Sequence, residues 1–354
     1  MSDDASGGNG RGDASSGSGD TGRSSDSGSR GGPDRIDPDV AGERFDPRSV
    51  QAIARKDFHD AIRSRGLLLL TAVFVVFFAA AAFFFADQFQ SALDAASQGG
   101  NEAQARTAEQ VRNQLDSDSF LQSLTSITRL LIPLVGIVVA YASVIGERES
   151  GTLKLLLSLP HSRLDVVLGK FVGRSAVLAV PVVAGFLVAM PAFPLAGVPL
   201  KIGNYVLFAL LTVLLGLVFV AVALGASAAA RTSRRAVIGT FVVYALFTLL
   251  WSNVTRAVTR QLREQTDLGQ QALTKAFLAV QYLNPIDTYQ SLTESLAGGG
   301  PQIALFAPPS RQQYVQQFGD LPVYLTDGAL TVYLVLWVVV PVVLGYFAFE
   351  LDDL

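Results

Sequence analysis

The chain has 354 residues, half of them hydrophobic and only 16% charged, with a mean hydropathy of +0.39, whereas a soluble domain carries roughly 25% charged residues. That balance implies a polytopic membrane protein. With no cysteine and only two histidines, His59 and His161, the chain has no disulfide framework, no thiolate chemistry and no self-contained metal site.

The net charge of −3 is unevenly placed. Residues 1–46 hold ten acidic residues and five Arg, and the remainder is net +2. The acidic excess therefore belongs to the tail and does not mark a nucleic-acid partner. Residues 1–44 are rich in Gly and Ser and hold too little apolar surface to offset their ordering entropy. They read as a disordered cytosolic tail, and without an apolar h-region they are not a secretory signal peptide.

Order is predicted from Phe45-Asp46-Pro47. Asp46 suits an N-cap and Pro47 the first helical position, and Phe45 can staple against Val50. Val50, Ala54, Phe58, Ala61 and Ile62 recur at helical spacing, with Arg48, Arg55, Lys56, Arg63 and Arg65 around them. A basic amphipathic helix entering directly into an apolar run reads as lying in the membrane interface; a soluble juxtamembrane helix is the alternative.

Leu67–Ala86 carries no charge, which is long enough to cross roughly 30 Å of hydrocarbon. Six spans are predicted at about 66–86, 127–145, 171–192, 204–228, 236–252 and 330–349, with outer loops at about 87–126 and 253–329. Lys170 and Arg174 at the start of span three, and Arg129 in span two, are expected to snorkel to the interface. Counting basic residues near span ends gives twelve on the N-terminal side against seven on the other, which favours both termini inside. The fold class expected is all-α, six spans, N-in and C-in. The lipid bilayer is its solvent, and the membrane is expected to be the plasma membrane of a prokaryote.

Several chemistries are missing. The chain holds no G-x-x-x-x-G-K-[ST] phosphate loop, no H-E-x-x-H and no G-x-S-x-G elbow. The middles of the six runs lack Asp, Glu, Lys, Arg and His, where ion-coupled carriers place functional ionisable groups. Any uphill work must come from a partner, and an intramembrane enzyme is the least supported reading.

The stretch GERESGTLKLLLSLPHSR (Gly146–Arg163) lies between spans two and three. Glu147-Arg148-Glu149 forms a charged junction, and Gly151 breaks the helix. Thr152 can cap a short helix Leu153–Leu159 that Pro160 ends. Leu153, Leu156 and Leu157 lie at i, i+3, i+4 and share one face. Ser162 with Asp165 makes a capping-box-like start for span three. Burying each leucine is worth roughly 1.5–3 kcal/mol. Their surface is the bilayer, the chain's own spans, or a groove on a partner.

The run Gly146–Arg174 resembles the cytosolic signature of ABC-2 type transporter permeases. It matches at Glu147, Arg148, Glu149, Gly151, Thr152, Leu156, Leu157, Pro160, Ser162, Arg163, Gly169 and Lys170. RKDFHDAIRSR (Arg55–Arg65) resembles the family's interfacial helix. YLNPIDTYQ (Tyr282–Gln290) is similar to an outer-loop motif of the branch related to nitrous-oxide-reductase and multicopper-enzyme maturation permeases. The resemblance covers residues 45–354; the acidic Glu350–Leu354 end departs from a family end that is often basic.

The resemblance implies a permease subunit of an ATP-driven exporter, not itself an enzyme. It implies a pair of separate ABC ATPase subunits as partners, a second permease chain in a homo- or heterodimer, and ATP with Mg bound on the ATPase rather than here. The short helix would be the coupling helix. Glu147, Arg148, Glu149, Gly151, Thr152, Leu153, Leu156, Leu157, Pro160 and Arg163 would make the ATPase contact. Glu147, Arg148 and Glu149 would pair across that interface or to the interfacial helix. A membrane scaffold that recruits a cytosolic partner without transport is the alternative.

Overall fold

The computed structural model describes residues 45–97, 102–114, 116–152, 162–296 and 311–351. The acidic tail 1–44 and the leucine-rich segment 153–160, with Leu153, Leu156, Leu157 and Pro160, lie outside the described residues. Among the described residues every regular element is helical.

Helix α1 (Pro47–Ile62) begins as its sequence dictates: Asp46 is extended, its side chain accepts from the Arg48 N–H, and Pro47 is the first helical residue. The Ser64 hydroxyl donates to Ala61 O and accepts from Leu67 N, which satisfies backbone groups at the joint into α2 (Arg65–Ser97). Then follow α3 (Glu102–Gln114), α4 (Ser117–Ala140), α5 (Ile145–Glu149), α6 (Arg163–Ala189), α7 (Ala192–Leu195) and α8 (Ile202–Ala229). A single π-turn (Leu246–Leu250) joins α9 (Ser233–Ala245) to α10 (Trp251–Gln265). The chain ends with α11 (Gln270–Gln281), α12 (Pro285–Leu296), α13 (Arg311–Phe318) and α14 (Asp327–Glu350).

Six helical stretches are long and apolar enough to cross a membrane: Arg65–Ser97, Ser117–Glu149, Arg163–Leu195, Ile202–Ala229, Ser233–Gln265 and Asp327–Glu350. Several run well past the uncharged runs, because the helical backbone continues into polar sequence. The core forms around α8, 61% of whose most apolar stretch is buried, against 11% for Ser233–Gln265. Helix α14 reaches α8 closely because two glycines meet: a Cβ on Gly345 would stand 2.6 Å from Gly225 Cα. Aromatic rings fill the space between α2, α6 and α8, with Phe78 and Phe186 centroids 4.4 Å apart and Phe208 5.7 Å from Phe186.

Region 253–329 sends one helical hairpin back among the spans. The turn between α11 and α12 is held to groups that lie deep within other helices. Trp337 Nε1 donates to Leu283 O at 2.8 Å, and Asn284 Nδ2 donates to Phe247 O, inside the π-turn, at 2.9 Å. The Tyr289 hydroxyl meets those of Thr128 and Thr212 at 2.9 and 3.0 Å. Trp337 and Thr212 each lie ten residues inside their helices, about 15 Å of rise. Helix α12 then climbs to the level of Asn204, whose Nδ2 donates to Leu296 O. Lys201 closes that end with ion pairs to Asp116 and Asp118 at 2.6 and 2.8 Å. Those two carboxylates hold its ammonium protonated well above the ordinary lysine range. Arg311 fastens α13 to Ser291 and to Asp327.

Candidate functional site

The junction between the second and third spans is tied down at both ends. Helix α4 ends at Ala140, and the turn that follows presents the N–H groups of Val144 and Ile145 to the Ser227 hydroxyl of α8, at 3.2 and 3.1 Å. One side chain thus satisfies two backbone donors that a broken helix leaves open.

Each residue of the acid-Arg-acid triplet then makes contacts within this chain. Glu147 pairs with Lys170 of α6 at 2.8 Å, the lysine side chain being 3% exposed. Arg148 donates to Ala230 O at the end of α8 and stands over the Phe349 ring of α14. Glu149 accepts from both the backbone N–H and the hydroxyl of Ser233. That places a carboxylate at the N-terminus of α9, where backbone N–H groups and the helix dipole favour negative charge. Thus Glu147 and Glu149 are engaged by α6 and α9.

Gly151 adopts φ +76°. This is the left-handed conformation that ends helices and that a side chain disfavours. It follows directly on α5, where the sequence places the break. Thr152 turns backwards, its hydroxyl meeting Ser150 and Glu147 O; the helix it is expected to cap lies outside the described residues.

On the far side of the loop, Ser162 and Asp165 form the capping box that the sequence predicts. The Asp165 carboxylate also accepts from Asp46 N at 3.1 Å, so one buried acid starts both α1 and α6. Arg163 donates to Phe349 O and Glu350 O at 2.7 and 2.9 Å, satisfying carbonyls that the end of α14 leaves unpaired.

Helix α1 rests in this assembly along Ser49, Ile53 and Ala54, which are buried, while Ile62 is 45% and Phe45 53% exposed. Its close approach to α6 depends on two glycines. A Cβ on Gly169 would meet Ile53 Cβ at 2.7 Å, and one on Gly173 would meet Asp57 Cβ at 2.9 Å. Arg174 Nη2 donates to Asp57 Oδ1 at 3.1 Å, and its Nη1 donates to Val139 O. Lys170 and Arg174, expected to snorkel outward, therefore turn inward. The reason is that α1 and α5 bring each of them a carboxylate, which a single-helix reading does not see. Arg129 likewise turns to Gln290 of α12. A cavity of about 30 Å³ remains between Ile53, Lys56, Asp57, Asp60, Glu147 and Lys170. The outer side of α1 presents Arg48, Arg55, Lys56 and His59 along an open groove.

Loop residues 150–162 are thus bracketed by contacts to five of the six candidate spans, and α1 joins the sixth through the Ser64 hinge. Asp57, Lys170, Arg174, Ser227 and Ser233 complete the junction. Lys170 belongs to the signature and Asp57 to the interfacial-helix motif, but no local pattern announces the pairings of these five, because their partners lie far away in sequence.

Residues 51–354 match the ABC-2 family transporter protein model, and the chain belongs to that family. It is similar to the probable ABC transporter permease protein NosY of Pseudomonas aeruginosa, 29% identical over 296 residues, spanning 81% of this chain and 93% of that protein. The protein of the same name from Stutzerimonas stutzeri is 30% identical over 309 residues, spanning 85% of this chain and 98% of its own length. The chain is an ABC transporter permease subunit and a multi-pass membrane protein. Such subunits are not themselves ATPases and work with a separate ABC ATPase.

Proposed function

We propose that this chain is the membrane half of an ATP-driven exporter in a bacterial plasma membrane, oriented with both termini inside. In this reading segment 150–162 is where a separate ATPase delivers its motion. The observation that carries it is the bracketing of that loop. Glu147, Arg148, Glu149, Arg163 and Asp165 link it to α6, α8, α9, α14 and α1. Force applied at the loop reaches five of the six spans through short polar contacts, and the first span by way of α1. Leu153, Leu156 and Leu157 form the apolar anchor in the ATPase, Gly151 and Pro160 set the angle of that anchor, and the ATPase binds ATP and Mg. Two permease chains and two ATPase chains make the working unit, and the outward direction follows the family.

The contact is tested in the assembled complex, using the absence of native cysteine. Ser150 is exposed at the junction and Leu268 is exposed at the opposite end of the bundle. A photoreactive crosslinker attached at Ser150→Cys is expected to capture an ATPase subunit, and the same reagent at Leu268→Cys is not. Capture from Leu268→Cys, or from neither position, contradicts the placement.

A further inference from the structure

Two arginines that bracket segment 150–162 meet on one aromatic ring. Arg148, just before the segment, has its guanidinium carbon 5.8 Å from the centroid of the Phe349 ring. Arg163, just after it, stands 5.5 Å from the same centroid. Both distances lie within cation–π range. Phe349 lies in the last turn of α14 and is fully buried.

Guanidinium groups repel one another, so two of them gather at one place only where something holds both. The end of α14 offers two such features. The ring face carries the negative part of its quadrupole, and the last carbonyls of the helix carry the negative end of its dipole. Arg163 uses both, since it also donates to Phe349 O and Glu350 O. Arg148 uses the ring, and it donates to Ala230 O at the end of α8. The carbonyl contacts do not depend on which side chain stands at position 349; the ring contacts do. The ring also packs in a small apolar cluster, separate from the main core, with Val144 at the end of span two, Val167 of α6, Leu224 of α8 and Val342 of α14. Four spans therefore converge on the residue that both ends of the segment touch. Movement of either end displaces a cation from the ring unless α14 moves with it.

We propose that Phe349 is a positioning residue for the coupling of ATP hydrolysis to movement of span six. Acting through Arg148 and Arg163, its ring makes the two ends of segment 150–162 and the end of α14 move as one body. This rests on the reading of that segment as the ATPase contact, and it adds a residue outside the segment through which the sixth span is driven. The role needs the electron density of the ring face as well as its bulk.

The test weakens the ring face while keeping the shape of the side chain. In the reconstituted complex Phe349 is replaced, by nonsense suppression, with phenylalanine carrying one, two or three ring fluorines, each of which draws electron density from the face. The readout is thiol reactivity at Val323→Cys, exposed just ahead of α14 at its opposite end, with and without ATP trapped on the ATPase by vanadate. The expected result is an ATP-dependent change in rate that shrinks with each fluorine, by roughly fivefold over the series. The same series at Phe89, buried in α2, controls for packing and is expected to leave the change intact. A change that is equal across the Phe349 series, that is absent with the native ring, or that falls as much in the Phe89 series overturns the proposal. ATPase capture at Ser150→Cys is read in the same preparations. Its failure with the native ring strikes the reading of the segment, whereas capture together with a flat Phe349 series strikes only the role of Phe349.

Discussion

Lys170 is the most enclosed cation of the junction, with its ammonium 2.8 Å from Glu147 and its side chain 3% exposed. Removing one partner of a buried pair leaves the other charge uncompensated, which costs about 3 kcal/mol. Glu147→Ala is therefore expected to lower the thermal unfolding midpoint of the detergent-solubilised protein markedly. Glu147→Gln combined with Lys170→Met is expected to recover most of the loss. An unchanged midpoint in Glu147→Ala contradicts the pairing. At this scale, what the sequence reveals depends on separation along the chain. The Asp46 cap and the Ser162–Asp165 box are legible because cap and target lie within three residues. Glu149 to Ser233 spans 84 positions and Arg163 to Phe349 spans 186, and no local pattern reports such partners.

Among the elements, α1 and α6 are held face to face by Gly169 and Gly173. Gly169→Leu forces a side chain into Ile53, and overpacking of this kind costs about 1–3 kcal/mol. The expected outcome is a loosened α1, seen as faster amide hydrogen exchange through Ile53–Ile62 with the spans still protected; unchanged exchange contradicts the close packing. Gly151 sits at φ +76°, and proline is fixed near −65°. In the reconstituted complex Gly151→Pro is expected to leave the spans inserted and ATP hydrolysis running. It is expected to abolish any ATP-dependent change in thiol reactivity at Leu268→Cys. If that change persists, the loop is not the transmitting element.

Helix α12 shows what hydropathy cannot report. It has twelve residues and a polar face, too short and too mixed to register in a window built for spans. Its depth comes instead from Trp337, Asn284 and Tyr289 reaching partners on other helices. The motif YLNPIDTYQ is legible as a motif, whereas its place among the spans is a tertiary property.

Taken as a whole molecule, the six apolar stretches follow directly from composition, because lipid leaves few alternatives to helices for spanning backbone. How they pack follows less directly: most of the apolar stretch of α8 is fully buried, while few residues of the Ser233–Gln265 stretch are. Deleting residues 2–40 is expected to leave assembly with the ATPase nearly unchanged, as judged by the yield and size of the purified complex; collapse of the complex contradicts that reading of the tail.

The central claim is that this permease draws its work from a separate ATPase through the segment between Gly151 and Ser162. The direct measurement is purification of the intact chain from its native membrane, alongside the chain with Leu153, Leu156 and Leu157 all changed to Ser. The account predicts that an ABC ATPase accompanies the first and is lost from the second while the spans stay folded. Retention of the ATPase by both forms, or its absence from both, contradicts it.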